Sequence, residues 1–551
     1  MPQSAPAAAL LAEPAVAPKP GLIGWIERRP QAAFGGFVAL HFVVWTALPA
    51  LLYANLPLDL IEALTYGREW QLGYDKLPPL PWWLVEILHR TIGADIAYYA
   101  LAQVAVLVAF ALVFATARSL VGATAALVAV LIIDGMHYFQ YTAVKFNHDV
   151  IQLPFWALAG YAFHAALKRG RTGHWILLGV AFGGALWAKY FVVMLVTPYA
   201  LFMIFDREAR RAFATPGPWL ALGVALLIAS PHVIWLFQTD FLPFAYASHR
   251  AEPARGWYDH IFRPVMFAVS QLFFLLPSLI IAAWLFWPRA TSLPVAGRAP
   301  SAVPPDAPSH RWRENLDAFD RRIVTLLAFG PGLTMIAVTA VSGRGTVAMW
   351  GYPLWLFVGL WLVLTTPAML DTRRMARIVA TWGAVFAIFV LAFIINYSLP
   401  RFFQEIHPFH LFHRSQTFHR FETFNRRYRA VFFPGDKLGE ELTQRFRAAT
   451  GTPLRYVIGS MWDGGNLAHY SPDQPQVLID GDPQRAPWID LNDLRNKGAI
   501  IVWTEGDPAQ LPAQFAAIAP DAEVGVPFDL PMRIGGGEVR FGWAILKPKA
   551  Q

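Results

Sequence analysis

A chain of 551 residues that is 56% hydrophobic and only 15% charged, with a mean hydropathy of +0.39, is too apolar for a soluble domain and has the composition of a polytopic membrane protein. The net charge of +8 raises the question of nucleic acid, but the basic residues fall in short loops between apolar runs, the positive-inside pattern of membrane proteins. The absence of cysteine excludes disulfides, thiol catalysis and cysteine-held metals.

Residues 1–30 read as a disordered tail rich in Ala and Pro, and residues 31–400 as the membrane region. The first apolar run starts near Phe34 and lacks a small-residue cleavage site, so it reads as a retained anchor. Windows long enough to cross about 30 Å of hydrocarbon fall near 34–54, 97–117, 120–137, 150–167, 174–187, 189–205, 218–237, 264–287, 323–342, 346–365 and 378–397, about eleven crossings. The fifth and sixth could form one long broken helix, because Lys189 sits between two short runs. Arg28-Arg29, Lys168-Arg169 and Arg373-Arg374 mark the cytoplasmic side, with the N-terminus inside. That orientation gathers Asp59, Asp75, Lys76, Asn147, Asp149, His249 and Arg250 on the outer face. The Pro- and Arg-rich stretch 288–320 reads as a flexible linker.

Residues 401–551 read as a basic connector followed by a small periplasmic α/β domain. The connector histidines and arginines between 401 and 427 are expected to track anionic headgroups. Strand-like runs occupy 456–459 and 499–503, helix-like stretches occupy 436–449 and 508–518, and Asp463-Gly464-Gly465 reads as a turn.

The first outer loop carries the strongest chemical signal. Asp59, just past the first span, is placed to act as a general base, or else to cap a short interfacial helix. Its spacing to Glu62 puts both carboxylates on one helix face. Asp75-Lys76 before Pro78-Pro79 either presents an ammonium to a phosphate oxygen or forms a surface ion pair ahead of a helix. Arg344, in the short turn 342–346, either reaches a phosphate or snorkels to the interface. His249 beside Arg250 is a metal-ligand candidate or merely a solvated loop histidine.

An acidic residue opening the loop, the helical Glu62-Ala63-Leu64, and the turn Tyr74-Asp75-Lys76-Leu77-Pro78-Pro79-Leu80 resemble the first extracytoplasmic loop of GT-C glycosyltransferases. The nearest branch is the bacterial one related to protein O-mannosyltransferases and the lipid A aminoarabinose transferase. The resemblance covers roughly residues 30–400 and implies a GT-C-like polytopic α-helical fold. It implies an inverting transferase in a bacterial inner membrane, with a polyprenyl-phosphate-sugar donor and a lipid or lipopolysaccharide acceptor. Within it, Asp59, Asp149 and Glu62 would be catalytic, Lys76, Arg250, Arg255 and Arg344 would hold the donor phosphate, and Asp75 with His249 would bind a divalent metal cation. The turn departs from the family in carrying Asp75 in place of glutamate, and in Leu77 separating the lysine from the prolines. The rival reading from the residues is a transporter or flippase of lipid-linked sugars, a class that places ionisable groups near the bilayer midplane and breaks helices there.

Overall fold

The computed structural model describes residues 21–287, 316–366, 370–402, 430–534 and 537–549. The 401–427 connector, apart from its first two residues, and most of the 288–320 linker lie outside these residues, as does the His249 side chain.

The membrane region begins with α1 (Leu22–Arg28) and α2 (Pro30–Leu52), the latter started by a proline at its first position, where a missing N–H is harmless. Two short helices follow, α3 (Leu58–Gly67) and α4 (Leu80–Thr91). Then come α5 (Ile96–Asp134), α6 (His148–Arg169), α7 (Thr172–Ala188), α8 (Val193–Phe205), α9 (Gly217–Gln238), α10 (Pro243–Arg250) and α11 (Asp259–Phe286). The region closes with α12 (Ala318–Ser342), α13 (Val358–Thr365) and α14 (Thr372–Phe402). Among the described residues, seven helices are long and apolar enough to cross a membrane: α2, α5, α6, α9, α11, α12 and α14. This is a multi-pass membrane protein.

The expected windows all meet helix, but three are interrupted. Window 97–117 and all but the last three residues of 120–137 fall in the single element α5, broken at Gly122, whose φ of 78° suits a residue without Cβ. The part beyond the break rises only about 18 Å, and the chain continues to Asn147 as irregular backbone. Window 346–365 is α-helical only over α13, and 343–357 is irregular backbone, one 3₁₀ turn at Ala348–Gly351 and further turns. At Lys189 the chain is extended (φ −167°, ψ 141°), which splits α7 from α8. Non-helical backbone at such depth persists only where protein or a polar cavity satisfies it. Tyr138 Oη and Gln271 Nε2 both donate to the Ala348 carbonyl, tying the 135–147 segment to the 343–357 segment through α11.

The C-terminal region is a mixed sheet in the order β2-β1-β3-β6-β4, with β5 on β6. Strands β1 (Tyr456–Gly459), β2 (Gln476–Ile479) and β3 (Ala499–Trp503) are parallel, whereas β4 (Glu523–Val524), β5 (Phe528–Pro531) and β6 (Glu538–Leu546) add antiparallel edges. Side chains alternate across the sheet. Val457, Ile500 and Val502 pack with Leu438, Leu442 and Phe446 of α15 (Gly435–Thr450). On the other face, Ile458, Leu478 and Ile501 meet Leu494 of α17 (Leu491–Lys497) and Phe515 of α18 (Ala513–Ile518).

Asp463-Gly464-Gly465 is not a turn but the opening of α16 (Asp463–Tyr470). The reason is packing: a Cβ on Gly465 would lie 2.7 Å from Ile61 and 2.8 Å from Thr65, so the missing side chain lets α16 lie against α3. Asn55 Nδ2 donates to Asn466 Oδ1 at 3.0 Å across this contact. The two regions therefore share a core, in which Val477 and Ile479 join Ile61 and Tyr66.

Candidate functional site

The site is built around α3, whose N-cap is Pro57. Asp59 is thus inside the first helical turn and not its cap. Its half-buried carboxylate accepts a hydrogen bond from Asn147 Nδ2 at 2.9 Å. Asn147 is itself the N-cap of α6, its Oδ1 accepting from the backbone N–H of Asp149 and Val150 at 3.0 and 3.1 Å. One amide thereby ends the irregular 135–147 segment, starts α6 and orients Asp59.

Asp149, in the first turn of α6, accepts from Lys189 Nζ at 2.6 Å and from Gln152 Nε2 at 3.1 Å. Both partners of this ion pair are nearly buried, with side chains 11% and 7% exposed. Lys189 can reach Asp149 because the helix is interrupted there.

Glu62, one turn beyond Asp59, meets Lys76 Nζ at 2.5 Å. Burial raises the Glu62 carboxyl above its ordinary range against the pull of Lys76, and Asp59 and Asp75 push it the same way. Burial by itself would lower Lys76, but the Glu62 carboxylate, with Tyr246 and Asp59 farther off, outweighs it and holds the ammonium raised. Lys76 also lies 5.2 Å from the centre of the Tyr246 ring.

Asp75 points the other way. Its oxygens take the Tyr66 hydroxyl at 2.7 Å and Arg485 Nε at 2.9 Å. Arg485 comes from the loop after β2 and also meets Asp480. Burial tends to lower its guanidinium, but Tyr66, Asp75 and Asp480 hold it raised. Tyr66 in turn stacks on Trp82 at 4.4 Å, and His148 Nε2 donates to the Pro78 carbonyl at 3.0 Å, fixing the proline turn to the start of α6.

Of the four carboxylates, Glu62, Asp75 and Asp149 each hold a cation, whereas among the described residues Asp59 is hydrogen-bonded by a neutral amide. Asp59 is therefore the group best placed to accept a proton.

The remaining phosphate candidates sit on and after α10. Arg250 ends this helix, exposed and one turn from Tyr246. Arg344 Nη1 donates to the Ser248 and Ala251 carbonyls at 3.2 and 3.0 Å, so it holds the α10 end in place. Arg255 is exposed, with its guanidinium 3.3 Å from Glu252. No three His, Asp or Glu side chains among the described residues converge as a metal site. With a hydroxyl and a guanidinium already on Asp75, the arrangement does not fit a divalent cation there.

Two members of the site were not among the residues singled out in the sequence as site residues. Lys189 had a signal, a charge between apolar runs. Arg485 had none, lying 410 positions from its partner.

Residues 76–235 match the family described as dolichyl-phosphate-mannose-protein mannosyltransferase. Lys76, Asp149 and Lys189 fall within that match, and Asp59 and Glu62 precede it. Lipid A galacturonosyltransferase RgtD of Rhizobium johnstonii is 25% identical over 217 residues, 37% of this chain and 44% of that protein. Lipopolysaccharide core galacturonosyltransferase RgtA of the same organism is 27% identical over 205 residues, 37% of this chain and 41% of that protein. The chain thus spans less than half the length of these curated relatives. In overall fold it is similar to ArnT from Cupriavidus metallidurans in the apo state, at 14% identity and a TM-score of 0.56 over 94% of this chain and 98% of that one. A structure of that ArnT bound to undecaprenyl phosphate matches at the same TM-score over 96% of this chain. The resemblance read from the first loop is met twice, by sequence kinship over the first part of the membrane region and by an ArnT-like fold along nearly the whole chain.

Proposed function

We propose that the protein is a glycosyltransferase that moves a monosaccharide from a polyprenyl-phosphate carrier to a lipid A, lipopolysaccharide or other lipid acceptor. In this reading it sits in a bacterial inner membrane with its N-terminus cytoplasmic, and the reaction takes place at the periplasmic face. The observation that carries it is Asp59: a carboxylate without a cationic partner among the described residues, within electrostatic reach of the Lys76 ammonium. The relatives named as lipid A and lipopolysaccharide galacturonosyltransferases support the acceptor class.

An acceptor hydroxyl attacks the anomeric carbon, its proton passes to Asp59, and the bond from that carbon to the phosphate oxygen breaks. The single displacement inverts the anomeric centre. The departing phosphate gains a negative charge, which Lys76 and Arg250 would stabilise. Glu62 keeps Lys76 in position, and Asp149 with Lys189 holds the start of α6, from which Asn147 orients Asp59. The implied divalent cation has no step here, since Asp75 is engaged with Arg485 and Tyr66.

The interruption at Lys189 and its paired charge favour transport as the second reading, because carriers break helices at their binding sites. Mass spectrometry of envelope lipids from a deletion strain complemented with wild type or Asp59→Asn separates the two. A glycoform restored by wild type alone supports transfer. Unchanged products with carrier accumulating on one leaflet support transport.

A further inference from the structure

On the side of α3 away from Asp59, the helix borders a cavity of about 530 Å³ that no step above uses. Nine residues at about 100° each put Arg68 half a turn around α3 from Asp59. The cavity is enclosed by α3 and α4 on the membrane side and by α16 and the 474–477 stretch on the other. It continues into a second hollow of about 420 Å³ that shares Arg68, Arg90 and Gln474 with it.

The lining is cationic. Arg68, Arg90, Arg455 and Lys497 face Glu69 and Glu86. Arg68 bridges the two regions, donating to the Gln474 and Pro475 carbonyls at 2.6 and 2.9 Å. Its Nε also lies 3.7 Å from Glu69 Oε1. Arg90 pairs with Glu86 through Oε1, and Lys497 with Asp493. Glu86, only 3% exposed, has its second oxygen buried without a hydrogen-bond partner among the described residues. A buried carboxylate oxygen left unmatched is costly, and a hydroxyl or ammonium group of a ligand would satisfy it. Arg90 lies over the Trp70 ring at 5.8 Å, and Trp70 and Ile87 are exposed, side chains suited to the depth of lipid headgroups.

A ligand matching these features carries an anionic group for the arginines and, beside it, hydroxyl or amine donors for Glu86. We propose that this cleft is a second binding site, separate from the Asp59 group, for a phosphorylated saccharide headgroup. The site does not depend on the transferase reading, since it is defined by binding alone.

The test uses the full-length protein in detergent, with binding measured by microscale thermophoresis against diphosphoryl lipid A, its dephosphorylated form, and glucosamine 1-phosphate. The diphosphoryl form is expected to bind at least about tenfold tighter than the dephosphorylated one. Arg455→Ala/Lys497→Ala, a change of two exposed side chains, is expected to remove most of that difference, and Glu86→Gln to weaken the saccharide contribution. Binding is read without turnover, so a failed transferase reading leaves this result untouched. Binding of glucosamine 1-phosphate as tight as the lipid assigns the site to the headgroup alone, and binding of the lipid only assigns it to a membrane-anchored ligand. Equal affinity for phosphorylated and dephosphorylated lipid, or unchanged affinity in the double variant, overturns the proposal.

Discussion

Removing Lys189 tests the electrostatic architecture most directly. At 2.6 Å the pair with Asp149 has a gross attraction of about 6 kcal/mol at an effective dielectric near 20. Desolvating both ions offsets this by several kcal/mol each, so the pair is close to neutral against two well-packed uncharged side chains. Breaking it from one side is a different matter. Lys189→Met leaves a buried Asp149 carboxylate with the Gln152 amide and the start of α6, which together recover ~1–2 kcal/mol. A net loss of about 3 kcal/mol is expected, and a similar one for Asp149→Asn, which strands the ammonium. The double variant Asp149→Asn/Lys189→Met removes both charges and should come within ~1 kcal/mol of wild type. Reversible unfolding in mixed micelles, followed by tryptophan fluorescence across the four proteins, yields the coupling energy. If the double variant loses the sum of the single losses, Lys189 and Asp149 are not an ion pair and the account of the interrupted helix fails.

Asp59→Asn should lower glycosyl transfer by ~10²–10⁴-fold, the usual worth of a general base, with the unfolding midpoint unchanged. A purified enzyme turning over a synthetic carrier-linked sugar would show this, and wild-type turnover would remove Asp59 from the chemistry. Arg485→Ala should loosen the C-terminal sheet from the first loop by ~1–2 kcal/mol, because the contacts of Arg68 and Asn55 remain. Faster limited proteolysis within 430–549 would report it. Burial raises Asp463 from 3.8 to about 6, against hydrogen bonds from Ser460 and Thr504 that lower it. Its folded form therefore holds a proton that the unfolded chain has lost between those values. That stability is fully present below pH ~4 and is lost as the pH rises through 6, by about 3 kcal/mol. Asp463→Asn should flatten thermal melting against pH across this window and raise the midpoint at pH 7.5.

Much of the fold was legible because its signals are local. Apolar length marked the membrane helices, and β-rich runs at 456–459 and 499–503 became β1 and β3. The convergence of Asp59, Lys76, Asn147 and Asp149 followed from counting crossings, a coarse argument that tolerates errors in where each helix ends. What was not legible depends on distant partners. The glycine pair after Asp463 carries the same signal in a turn as in a helix pressed against another backbone, and only the neighbouring α3 distinguishes the two. The third window runs to 137 whereas α5 ends at Asp134, and the residues that hold the irregular 135–147 segment, Gln271 and Ala348, lie on later elements.

In the proposed reaction, the distribution of counter-charges singles out one base. Lys76 comes from the proline turn, Lys189 from a helix break and Arg485 from the C-terminal sheet, so three unrelated elements each occupy one carboxylate. Arg485 follows β2 at the carboxyl end of the parallel strands, the end at which open α/β sheets commonly form their binding crevices. Here that end faces the first loop, and what it supplies is a guanidinium for Asp75. Without Arg485, Asp75 would keep only the Tyr66 hydroxyl and lose its cation. Through Arg485 the C-terminal domain supplies the cation of Asp75, and among the described residues Asp59 is the one carboxylate of the four without a cationic partner.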